Sequence, residues 1–79
     1  MTDNLDDRGD AVREIIAGIL EVGAEEMTAS VAINEFESWD SMAQIRIIAE
    51  LEGVFGCFIP IEKALTLTKI EDFIDAVSP

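Results

Sequence analysis

The residues best placed to do chemistry are Glu37-Ser38-Trp39-Asp40-Ser41-Met42, which close a long acidic stretch and open an apolar, helix-spaced run. Asp-Ser at a helix start is in the first instance a capping arrangement, because a short side-chain oxygen can accept a backbone N–H that the helix leaves unpaired. Its context adds a second property. Ser41 falls in the first helical turn, so a phosphate diester on its hydroxyl would lie near free N–H groups and the positive end of the helix dipole. Asp40 opposes a further anion at that point, so a group attached there should project into solvent and remain mobile.

Other chemistries find little support. Histidine is absent, which removes the usual general base near neutral pH and with it the Ser-His-Asp and Cys-His schemes. One cysteine, Cys57, and no histidine leave no structural zinc set and no internal disulfide, and a reducing compartment fits. Asp3, Asp6, Asp7 and Asp10 cluster around Gly9, but a calcium loop with Gly9 at its sixth position would put Arg8 on a ligand position and end on Ile15 instead of Glu. The same acids suit the N-terminal end of a helix. No metal site is expected.

Seventeen acids oppose five bases, for a formal charge of −12. Such a surface repels nucleic-acid phosphates and anionic membranes and attracts basic protein patches, less so as salt rises. No apolar run approaches a membrane span, and the acidic, polar N-terminus is unlike a signal or transit peptide. A cytoplasmic monomer without membrane insertion is the expectation. A hydrophobic content of 49% is enough for one packed core.

The elements that must position Ser41 follow from periodicity. Residues 1–9 read as a flexible lead-in, and 10–79 as the folded domain. Val12, Ile15, Ile16, Ile19 and Leu20 predict a first helix over about 10–22, stopped by Gly23. Residues 24–40 form a long first loop, pinned to the core by Met27, Val31, Ile33 and Phe36 and holding at most a short helical turn. Between Arg13 and Arg46 the chain carries seven acids and no base, so this side should be strongly negative. The second helix is predicted over 41–55, capped by Asp40 or Ser38. Met42, Ile45, Ile48, Ala49, Leu51 and Phe55 form its apolar sector. Ala43, Arg46, Ile47, Glu50 and Val54 fall on the outer face, where Ile47 and Val54 either widen the core sector or meet a partner. Ile59-Pro60 is extended, and Pro60 opens a short third helix over 61–65. Thr68-Lys69-Ile70-Glu71 reads as a capping box ahead of the stripe Ile70, Phe73, Ile74 and Val77. The fold class is all-α, a small bundle of three main helices and one short one.

Asp40-Ser41-Met42, Glu50-Leu51-Glu52, Phe55-Gly56, Ile59-Pro60, Leu67-Thr68 and Ile74-Asp75, in one register, resemble the acyl carrier protein family. The similarity to the bacterial fatty-acid type runs without gaps over 40–77, and the first helix corresponds too, with a first loop about two residues shorter. The resemblance implies a four-helix up-and-down bundle with a short third helix. It also implies that a phosphopantetheinyl transferase moves 4'-phosphopantetheine from coenzyme A onto Ser41. The arm's thiol would then carry acyl groups as thioesters between acyl-activating and acyl-transferring enzymes, and the chain itself would not be an enzyme. Met42, Ile45, Ala49, Ile59 and Leu67 are the expected lining of an acyl chain drawn into the bundle, and Asp40, Met42, Arg46, Ile47 and Glu50 the expected partner-recognition residues.

The chain departs from the family pattern on the second helix. Ala43, Arg46, Gly53 and Val54 stand where fatty-acid carriers are rich in acids, leaving Asp40, Glu50 and Glu52. This argues for a specialised carrier in a lipid or polyketide-like pathway. Trp39 replaces the small residues common before the motif; it either packs the loop onto the second helix or meets the arm and partner. Peptidyl carriers usually show Gly-Gly where Ser38-Trp39 stands. D-alanyl carriers share Asp-Ser-Met, so an aminoacyl cargo stays open, as does an unmodified acidic docking domain.

Overall fold

The computed structural model describes residues 4–78, with side chains from Arg8 onward. Four α-helices follow in order: α1 (Asn4–Leu20), α2 (Ser41–Phe55), α3 (Ile61–Ala64) and α4 (Ile70–Val77). The all-α expectation holds, and α1, α2 and α4 pack around one core. The helix expected from about residue 10 already begins at Asn4, so most of the presumed lead-in is helical. The side chains of Asp3, Asp6 and Asp7, weighed for calcium, lie outside the described residues.

The core is built from the stripes. Val12, Ile16 and Leu20 of α1, Ile47 and Leu51 of α2 and Ile70 and Phe73 of α4 are fully buried. Burying each large aliphatic or aromatic side chain contributes about 1.5–3 kcal/mol, which is how so short a chain sustains a single core. Ile15, Ile19 and Ile74 sit at the margin, half-buried against it.

Gly23 does not stop α1. The helix ends at Leu20, Glu21 takes a left-handed φ of 61°, and the Val22 N–H donates to the Ala17 carbonyl at 3.0 Å. That i-to-i−5 bond is the Schellman closure, formed here without the usual glycine. At the far end of α2, Gly56 does occupy the left-handed position (φ 64°) and its N–H donates to Glu52 O at 2.9 Å.

The first loop is held as its apolar residues suggest. Met27 and Ile33 are fully buried and Val31 and Phe36 are half-buried, with 3-10 turns at Ala24–Glu26 and Ile33–Glu35. Its backbone also serves α4. The N–H groups of Ile70 and Glu71 donate to Val31 O (3.1 Å) and Ala29 O (2.9 Å), and Ile33 N–H donates to Thr68 O at 2.8 Å. These contacts displace the expected capping box. Lys69, not Thr68, is the N-cap, and only the Asp72 half forms, with its carboxylate accepting the Lys69 N–H at 3.2 Å. Loop carbonyls satisfy α4's first N–H groups, so Thr68 is left no capping role.

The second helix spans 41–55 as expected, but its phase is displaced by about one residue, ~100° around the axis. Ala43, Gln44, Ile47, Ile48 and Leu51 are buried, whereas Met42 and Ile45 are 64% and 53% exposed and Ala49 is exposed. Apolar residues surround most of this helix, so spacing alone leaves its orientation open.

Candidate functional site

Asp40 is in extended conformation (φ −152°, ψ −178°), and its carboxylate accepts the Ala43 N–H at 2.7 Å while its carbonyl accepts Gln44 N–H at 3.0 Å. This cap fixes where α2 begins and makes Ser41 its first residue. Ser41 is exposed, so its oxygen stands at the solvent edge of the positive helix end.

Below Ser41 lies a cavity of about 170 Å³ whose walls include Trp39, Ser41, Gln44, Ile45 and Leu67. A second, of about 150 Å³, continues between α2 and α3 and is walled by Ile45, Ile48, Ala49, Ile61 and Leu65. Of the five expected lining residues, Ile45, Ala49 and Leu67 thus face this groove. Met42 projects into solvent and Ile59, only 4% exposed, packs into the core. Neither Met42 nor Ile59 lines either of these two cavities.

Gln44 was not anticipated from the sequence. It is 6% exposed, and both polar atoms of its amide have partners. Oε1 accepts the indole N–H of Trp39 at 2.9 Å, while Nε2 donates to Ala64 O at 2.9 Å and Leu67 O at 3.1 Å. The signal lay in α3, since a four-residue helix leaves its last carbonyls without partners, and a donor from a neighbouring helix must answer them. Half-buried Trp39 therefore ties the loop to α2, with its own backbone N–H on Phe36 O at 3.1 Å.

Of the expected partner-recognition residues, Asp40, Met42, Arg46 and Glu50 are exposed. Ile47 is not: it is fully buried, and its assignment to the outer face is corrected to core, together with Ala43. Two acids of this face are held in place by backbone N–H groups. The Glu52 carboxylate turns back to accept the Ile59 N–H at 2.8 Å, and Asp40 is committed to its cap. Met42, Ile45, Ile61 and Leu65 are exposed apolar residues here, with Asp40, Arg46 and Glu50 exposed as well. No helix of the described residues is long and apolar enough to cross a membrane.

Comparison with known proteins agrees with this arrangement. The family described as phosphopantetheine attachment site matches residues 10–77. The chain is similar to an acyl carrier protein of Rubrobacter xylanophilus, 36% identical over 66 residues that cover 84% of this chain and 82% of that protein. The exposed serine at a helix start beside an apolar groove fits a prosthetic group that is tethered covalently and needs no enclosed pocket. A four-helix chain with this site and these relatives belongs to the phosphopantetheine-bearing acyl carrier protein family, whose members are carriers and not enzymes.

Proposed function

We propose that Ser41 is the attachment point of the 4'-phosphopantetheine arm and that the chain serves a specialised lipid or polyketide-like pathway in the cytoplasm. The observation that carries the first half is the exposure of Ser41 at the first position of α2, directly above an apolar groove. When attached, the arm supplies a thiol that holds acyl groups as thioesters. The chain's own residues do the rest. Asp40 fixes the helix start so that the hydroxyl faces solvent and a transferase. Ile45, Ala49 and Leu67 give an alkyl group an apolar surface to lie against, at about 0.8 kcal/mol per buried methylene. Met42, Arg46 and Glu50 meet the enzymes that load and unload it.

The specialised role is supported by the α2 face. Asp40, Glu50 and Glu52 are its acids, and exposed Arg46 stands among them as a like charge for any basic partner patch.

Incubation with coenzyme A and a broad-specificity phosphopantetheinyl transferase tests the attachment. Intact mass should rise by one phosphopantetheine in the wild type and stay unchanged in Ser41→Ala. No gain with several transferases would return the chain to an acidic docking domain. The thioester-bound group on protein purified from its own cell tests the pathway: an aminoacyl group would replace the lipid reading with a D-alanyl-like one.

A further inference from the structure

The cavity beside Ser41 and the cavity between α2 and α3 are neighbours, and Gln44, Ile45 and Leu65 border both. Gln44 is the polar member of that shared wall, it is buried, and each of its amide atoms already has a partner. One partner, Trp39, belongs to the wall on the Ser41 side; the other two are backbone carbonyls at and just beyond the end of α3. The side chain thus ties the first loop, α2 and α3 together across the groove. We propose that Gln44, held by Trp39, partitions the groove and sets the cargo length: a short acyl group fits the chamber beside Ser41, and a longer chain cannot pass into the α2–α3 chamber. This rests on Ser41 bearing the arm, and it deepens that reading by naming the cargo class.

The physical argument is one of satisfied polarity. A growing alkyl chain passing from the first chamber to the second must displace the amide. That breaks the bonds to the half-buried Trp39 indole N–H and to the buried carbonyls of Ala64 and Leu67. Apolar walls yield to an alkyl chain without such loss, because their contacts are non-directional. Groove length is therefore set by the side chain whose displacement breaks three hydrogen bonds, and not by the surrounding Ile and Leu residues.

The test loads the arm-bearing protein with acetyl, butyryl, octanoyl and dodecanoyl groups, after intact mass has confirmed each species. The rate of thioester cleavage by hydroxylamine is then read for each length. Where methylenes are buried, each should slow cleavage by up to about fourfold. In the wild type, protection should rise to butyryl and then level off. In Gln44→Ala it should go on rising through dodecanoyl, and in Trp39→Phe, which removes only the indole donor, the plateau should move to longer chains by a smaller step. Trp39 is the sole tryptophan, so its emission gives a second readout, changing equally for butyryl and dodecanoyl in the wild type. Protection that climbs to dodecanoyl in the wild type overturns the partition, even if Gln44→Ala fails to fold. So does an unchanged plateau in both variants. A chain that takes no arm fails at the mass step and overturns the attachment reading as well, whereas a loaded chain without a plateau overturns only the partition.

Discussion

The carboxylate of Glu52, near the end of α2, accepts the backbone N–H of Ile59 at 2.8 Å, seven residues along the chain. Ile59 is buried in the extended segment before Pro60, where neither helix nor strand offers its N–H a partner. The bond therefore anchors the α2–α3 connection. Glu52→Ala should lower stability by about 1–2 kcal/mol, in the range of a partly buried hydrogen bond to a charged group. Glu52→Gln, which keeps an acceptor oxygen, should recover more than half of this. Urea unfolding checks both, with the midpoint shifting at constant slope.

The phase of α2 gives a direct comparison. Ile47→Ala should cost about 2–5 kcal/mol, because it removes a fully buried side chain and leaves a cavity among Ile16, Leu51 and the other core residues. Met42→Ala, at a position 64% exposed, should fall within about 0.5 kcal/mol of wild type. The outer-face placement of Ile47 from spacing alone would give the reverse order, so paired denaturation curves decide between the two orientations.

Why that orientation was hidden, while the helices were not, has a physical basis. The extents of α2 and the short α3 follow from local chemistry: Asp40 as cap, Gly56 as stop and Pro60 as opener. The stripes of α1 and α4 have clear polar faces, and their buried residues were legible. Ser41 was legible too, since its exposure needs only a cap and a first turn. On α2, however, the decision between Met42 and Ile47 as core depends on where α3 lies, and that depends on the contact of Gln44 with carbonyls twenty and more residues away. A polar residue between two isoleucine-rich turns carries no local sign of burial. The same holds at Thr68, where a sound capping pattern yields to acceptors supplied by the distant first loop.

The two helix ends with left-handed residues should respond oppositely to substitution. Glu21 holds φ 61° with a side chain, and Gly56 holds φ 64° without one. The left-handed conformation costs an L-residue about 1–2 kcal/mol relative to glycine's freedom to adopt it. Glu21→Gly should raise stability by up to about 1 kcal/mol, net of the extra chain entropy of glycine. Gly56→Ala should lower it by about 1 kcal/mol, since its Cβ would meet open space and the penalty is purely one of backbone. Thermal melts should shift in opposite directions, and a shift of the same sign in both would contradict the conformations described.

Arg46 provides the test of the specialised role. It is exposed on the face that presents Met42 and Glu50, within a chain of formal charge −12. An enzyme that recognises fatty-acid carriers through a basic patch meets at this position a like charge in place of an acid. Arg46→Glu changes the local charge by two, and exposed pairs contribute about 0.2–1 kcal/mol each. The rates with a broad-specificity transferase and with a fatty-acid ketosynthase should therefore rise about two- to fivefold, through association and not through turnover. Raising the salt concentration should erase the gain, because the charges involved face solvent and are screened within about 8–10 Å. A cognate enzyme of the chain's own pathway should respond in the opposite sense, losing an attraction to Arg46. Equal rates for wild type and variant with both probe enzymes, at low salt, would mean that this face carries no charge code and that the case for a dedicated partner fails.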